Sequence, residues 1–372
     1  MSPADRVLPS GPGTDRIGRP PVVVVAPDKF RGTADAIEVA GAMAGAVTSV
    51  GWKVVRLPLS DGGEGLLDAC AGICPDVAST RVAGPDGAPV IAEWRHGTGI
   101  AVVEMARASG LTLAGGPAGN DPLGATSRGT GELLVAAARL VGPGGTVVVG
   151  LGGSACTDGG RGAMDAVEEA GGLGGTTLIG ACDVDVGFLD AAPMFAPQKG
   201  AEPDQVAELS RRLEQLADGW VERFGIDVRD MPGAGAAGGT GGALVVLGGR
   251  LQSGYRLVAD LVGLTEALSG ADLVVTGEGA LDASSFNGKV VGGVVGDARR
   301  LGLATLVVAG RSTVEGVAGA TRAGCEVVSL TERFGPARAM GETLECIGEV
   351  TAQWLAGRDA RAVWRSTGPR IP

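Results

Sequence analysis

Short β-branched runs and longer stretches of helical composition alternate along most of this chain, each switch marked by glycine, proline or aspartate. The run at 22–26 reads as a strand. Helical composition follows over 34–50, with Thr33 as the expected N-cap. Residues 53–59 form a second strand candidate with a short helix behind it. After the turn Gly84-Pro85-Asp86-Gly87, residues 90–95 and 100–104 look like paired strands. A helix over 132–140, with Ser127 or Thr130 as cap, leads to the apolar run 147–149, and a helix is expected over 161–170. Residues 178–181 form another strand candidate, and the alternating charges of 204–223 mark a helix with one solvated face and one buried stripe. Strands at 272–276, 305–309 and 326–330, a helix over 290–301 and a long helix over 336–356 complete the pattern. This strand–helix alternation predicts an α/β fold with a parallel sheet.

Composition narrows the class. The 372 residues suggest about two domains, and a hydrophobic content of 45% describes a folded chain. The 67 glycines follow no G-X-Y period and gather at the ends of apolar runs, where loops fall. A formal net charge of −11 makes a nucleic-acid partner a poor expectation. Of six scattered cysteines only Cys70 and Cys74 are close, which reads as reduced thiols in a cytoplasmic protein. His96 is the single histidine, and nothing around it supports a Ser-His-Asp or Cys-His mechanism. No apolar run reaches the roughly 18 residues that span a membrane, so no membrane partner is expected. Residues 1–20 read as a loose tail rather than a signal peptide, and the arginine-rich 357–372 as a second tail.

The candidate chemistry lies where predicted strands end. Asp28, Lys29 and Arg31 follow the first strand, where open α/β sheets place ligands. Asp61 and Glu64 follow the second, separated by glycines that let both acids face one point. The stretch 147–160 encloses Gly152, Gly153, Ser154 and Asp158 and has the composition of an anion-gripping loop. Asp158 would suit such a loop if Mg²⁺ bridged it to phosphate oxygens. Asp183 and Asp185 alternate along an extended segment and resemble a divalent-cation pair. Lys199 stands in an apolar turn, and Gly233, Gly235, Gly238 and Gly239 belong to the most glycine-dense run, read either as a surface for a polyanionic ligand or as tight helix packing. Glu278, Asp282 and Lys289 lie between a strand and a helix. Gly288-Lys289 is followed by valine, with no glycine five residues before Gly288, so this is not a Walker A loop.

Taken in order, the segments APDKFRGT, SDGGEG, VVEMARASGL, TSRGTGELL, GLGGSACTDGG, ACDVD, APQKGA, PGAGAAGGTGGAL and TGEG-x-x-D…GK resemble the bacterial glycerate kinase family over nearly the whole chain. The resemblance implies transfer of the γ-phosphoryl of ATP, with Mg²⁺, to a hydroxyl of D-glycerate, commonly the 2-hydroxyl. It also implies two α/β domains: a Rossmann-like parallel-sheet domain from 21–82 and 268–356, and an inserted α/β domain from 83–267. Within that frame Asp61, Glu278, Lys199 and Lys289 are expected to be catalytic, with Asp61 as the base. Asp28, Lys29, Arg31, Glu64 and Asp282 would bind the acceptor, the glycines of the two rich loops with Ser154 the nucleotide, and Asp183, Asp185 and Asp158 the metal. The chain departs from the family pattern at Ala280, where an arginine is usual, and over 186–193. A different small hydroxy acid as acceptor, a homodimeric state and a metabolite sensor without turnover stay open. So does an NAD-dependent oxidoreductase, because Gly150-x-Gly152-x-x-Ala155 formally fits a dinucleotide fingerprint.

Overall fold

The computed structural model describes residues 20–358, so the expected tails at 1–20 and 357–372 lie almost wholly outside the described residues. Eleven strands appear among those residues. In chain order they are β1 (Val22–Val25), β2 (Lys53–Arg56), β3 (Asp76–Ala83), β4 (Pro89–Gly97), β5 (Ile100–Glu104), β6 (Thr146–Gly150), β7 (Thr177–Cys182), β8 (Arg250–Ser253), β9 (Leu273–Leu281), β10 (Ala304–Ser312) and β11 (Glu326–Ser329).

Two sheets result. The first has the order β2-β1-β9-β10-β11 and is parallel throughout. The second runs β3-β4-β5-β6-β7-β8, antiparallel at β3/β4 and β4/β5 and parallel from β5 onward. Counting only the strands of the first sheet, the order is 2-1-3-4-5, a doubly wound arrangement whose direction reverses between β1 and β9. Ligands of such sheets sit outside the carboxyl ends of the strands at that reversal.

The four valines of β1 explain its central place. Alternate side chains leave opposite faces, so a strand covered on both sides needs apolar residues at every position. Val23 and Val25 meet Met43 of the helix Ala36–Ser49 and Ile347 of the helix Thr343–Ala356. Val24 points the other way, into a cluster with Leu257, Val290 and Val294, and that cluster continues to Val102, Val148 and Ile179 of the second sheet. One continuous apolar body therefore touches both sheets.

Several boundaries differ from those expected. The first helix is capped by Asp35, not Thr33: Asp35 accepts from the Glu38 N–H at 2.8 Å and Glu38 accepts from the Asp35 N–H at 3.0 Å. That reciprocal box needs an acid three residues on, which Thr33 lacks; its hydroxyl instead donates to the Phe30 carbonyl. β3 begins at Asp76 and pairs with β4 through the turn at 84–87, so residues 76–82 join the second sheet and not the first. β9 runs through Glu278 to Leu281, because β10 stays paired with it beyond the stretch that reads as a loop. The long helix expected over 336–356 is two helices, Pro336–Gly341 and Thr343–Ala356, separated at Glu342.

Candidate active site

At the reversal point the carboxyl ends of β1, β2, β9 and β10 surround a cleft of about 460 Å³. The backbone brings the acids of β1 and β9 together. Beyond β1, Ala26 N–H donates to Val275 O and Asp28 N–H to Gly277 O, both at 2.9 Å. The Thr276 hydroxyl donates to Ala26 O at 2.7 Å. Asp28 is thereby fixed beside Glu278. Asp61, from the segment after β2, also lines the cleft, as do Lys29, Arg31, Asp282 and Lys289. The Asp28 carboxylate accepts from the Lys29 N–H at 2.7 Å, and the Lys29 ammonium donates to the Glu64 carbonyl. Asp282 accepts from the Ser284 N–H at 2.7 Å and hydroxyl at 2.6 Å, and Lys289 Nζ donates to the same hydroxyl at 2.9 Å.

Crowding of like charge marks the cleft. Burial pushes the Asp28 carboxyl up to about 6, and neighbouring Asp61 adds to this against Lys29 and Arg31. Burial pushes Glu278 up to about 7; the Ser285 hydroxyl opposes the rise and Asp28 adds to it. Glu278 Oε1 is buried with no hydrogen-bond partner among the described residues. At the end of β7, across from these groups, Asp183 is raised by desolvation and then by Asp61, with Lys289 and Lys29 acting in the opposite sense. Seven of the expected residues thus line one cleft, Asp183 is electrostatically coupled to it, and Glu64 supplies its carbonyl while its side chain is exposed.

The segment carrying Asp61 is held by a residue the sequence reading missed. Glu104, at the end of β5, is buried and accepts from the Gly65 N–H at 2.9 Å and the Leu67 N–H at 3.1 Å, while Arg107 pairs with its other oxygen at 3.2 Å. An acid closing the apolar run IAVVE was the available signal. Glycines set the spacing on the far side: a Cβ on Gly254 would lie 1.7 Å from Asp61 O, and one on Gly152 would lie 2.7 Å from Gly63 Cα.

Other expected site residues lie elsewhere, for physical reasons. Asp158 accepts from Ser127 N–H (2.8 Å) and hydroxyl (2.7 Å), Gly160 N–H (3.0 Å) and Gly162 N–H (3.2 Å). Four donors hold it, three of them on Oδ2, and it occupies the anion position at the start of the helix Arg161–Glu169 itself. Lys199 is buried and donates to Ser154 Oγ (2.9 Å) and Cys156 O (2.6 Å), so both Lys199 and Ser154 are internal ties. The two glycine-rich stretches press on neighbouring backbone: a Cβ on Gly238 would meet Cys156 O at 2.2 Å, one on Gly239 would meet Gly159 Cα at 2.8 Å, and one on Gly235 would meet Gly187 O at 2.2 Å. Gly233 faces Cys182 Sγ at 3.1 Å, and Gly153 sits 3.3 Å from Ala106 Cβ, each measured from an added Cβ. Such contacts give these glycines a packing role. Asp185 adds to the rise of the Cys182 thiol. A larger cavity of about 690 Å³ beside the helix Pro203–Phe224 carries arginines already paired with acids, among them Arg223 with Glu168 and Arg212 with Glu208.

Acids and lysines gathered at the reversal point of a doubly wound sheet define an α/β enzyme built around a polar, charge-crowded cleft. Comparison with known proteins specifies which. The model of the glycerate kinase family matches residues 23–170 and 168–356. The glycerate 2-kinase of Escherichia coli K12 is 36% identical over 335 residues, covering 78% of this chain and 85% of that protein. The glycerate kinase of Bacillus subtilis 168 is 36% identical, covering 77% and 84%. A crystal structure of a putative glycerate kinase 2 from Salmonella typhimurium LT2 superposes with a TM-score of 0.76 at 31% identity, over 91% of this chain and 99% of that one. The chain belongs to the glycerate kinase family.

Proposed function

We propose that this chain is an ATP-dependent glycerate kinase that moves the γ-phosphoryl of ATP to the 2-hydroxyl of D-glycerate in the cleft between β1 and β9. The observation that carries the reading is the convergence of Asp28, Asp61 and Glu278 with Lys29 and Lys289 from distant parts of the chain on one cleft. Phosphoryl transfer asks the protein mainly for positioning and charge neutralisation, which such a set supplies. Asp61 takes the proton of the acceptor hydroxyl, and Lys29 and Lys289 offset charge on the phosphoryl oxygens.

The residues fit Mg²⁺ in the manner of nucleotide sites. Among the described residues no group of three or more histidine, cysteine or acidic side chains is arranged as a metal cage. Mg²⁺ uses one or two carboxylates plus nucleotide oxygens and water. Asp28 and Glu278 are the pair that fits, since both are buried acids, Asp28 disfavours the charge of Glu278, and Glu278 Oε1 lacks a partner among the described residues. When bound, the ion would screen the charge of the β- and γ-phosphates. We place the two units at about 20–75 with 254–356, and 76–253, following the sheets. A cytoplasmic location accords with six unpaired thiols.

The altered segment at 186–193 packs against the helix Pro203–Phe224. Phe188 is buried with its ring 5.1 Å from that of Trp220, so the segment builds core. Phosphorus NMR of the product from ATP and D-glycerate, coupled to ADP release, tests activity and hydroxyl position together. Asp61→Asn is expected to lower turnover about 100- to 10,000-fold. Wild-type turnover in that variant would remove Asp61 from its role.

A further inference from the structure

β9 and β10 remain paired to their ends, where Arg311 is the register partner of Ala280 and Ser312 that of Leu281. Register partners on parallel strands present side chains to the same face. Arg311 and Ala280 accordingly both line the cleft. Two glycines permit this close pairing: a Cβ on Gly310 would stand 2.6 Å from Gly279 O. The Thr331 hydroxyl, donating to Gly310 O at 2.7 Å, fixes the strand end.

The Arg311 side chain is exposed and makes no hydrogen bond, ion pair or ring contact among the described residues. Of the other cations of the cleft, Lys29 is engaged by the Glu64 carbonyl and Lys289 by Ser284, while Arg31 lies close enough to Asp28 to help hold its pKa down. An anionic acceptor entering here meets several carboxylates that repel it, so it needs a guanidinium that they do not already occupy. Ala280, one strand away, leaves the space beside that guanidinium open.

We propose that Arg311 binds the carboxylate of the acceptor. It stands on β10 in register with Ala280 of β9. The proposal rests on the kinase reading for the identity of the acceptor, a small hydroxy acid, and its test separates the two. Calorimetric titration of D-glycerate into the wild-type protein and Arg311→Ala is expected to show binding weakened about 10- to 100-fold, with Arg311→Lys in between. Adding Ala280→Arg to Arg311→Ala is expected to restore most of the affinity. In the ADP-release assay the KM for glycerate rises in Arg311→Ala while the KM for ATP stays within about twofold. Equal glycerate affinity in wild type and Arg311→Ala, or a rise confined to the KM for ATP, would overturn the assignment. Glycerate binding without ADP release in the wild type would sink the kinase reading and leave the affinity comparison to decide on Arg311. No glycerate binding by the wild type would end both.

Discussion

Lys199 donates its ammonium protons to Ser154, Cys156 O and Thr157, and burial pushes its pKa down. Lys199→Met leaves those acceptors without a donor. It is expected to cost about 2–4 kcal/mol, read as a lowered Tm, with the KM values for ATP and glycerate near wild type. An unchanged Tm with lost turnover would return Lys199 to the chemistry. Glu278 and Asp28 make a prediction in pH. Their folded-state values near 7 and 6 lie above the ordinary carboxylate range, so the folded protein holds protons there that the unfolded chain has released. Their stabilising contribution is complete below about pH 4 and is lost as pH rises through 6 to 7. Denaturation without added divalent cation should show this loss in the wild type between about pH 4 and 7 and a flatter profile in Glu278→Gln. At this scale Asp28, Asp61 and Glu278 were legible, because acids at strand ends beside glycine have few other uses. Arg311 was not, since one arginine after an apolar run looks like any solvated residue until its neighbour across the ladder is known.

Among elements, the segment 60–65 depends on a strand of the other sheet. Glu104→Ala leaves the Gly65 and Leu67 amides unpaired and Arg107 without its carboxylate. The expected result is about 2–4 kcal/mol of lost stability and faster hydrogen exchange at Gly65 and Leu67, with lower turnover as Asp61 loses its fixed place. Exchange at wild-type rates would show that the glycine contacts alone hold the segment. Strand–helix alternation revealed most elements, because buried parallel strands are short apolar runs bounded by glycine. The glycine-rich stretches were harder. Composition says that backbone comes close to something, and only the fold shows that Gly152 meets Gly63 and Gly238 meets Cys156. The end of β9 was missed because its extra length comes from pairing with β10, a tertiary effect absent from local propensity.

For the molecule as a whole, the apolar cluster that joins Val24 to Val102, Val148 and Ile179 couples the two sheets. Calorimetry should therefore show one cooperative unfolding transition in spite of two sheets; two resolved peaks would mean that the sheets unfold independently. The existence of a sheet made from both chain ends came from the family resemblance, and its 2-1-3-4-5 order came only from the structure. A different consequence concerns synthesis on the ribosome. Val22 bonds to Asp272, some 250 residues later, which at about 5–20 residues per second is a wait of roughly 12–50 s. During that interval β1 gains β2 on one side and has nothing on the other, while the strands of the second sheet emerge one after another and are complete before β9 appears. The nascent protein must finish its later-starting half first and keep four valines from finding a foreign edge until β9 arrives.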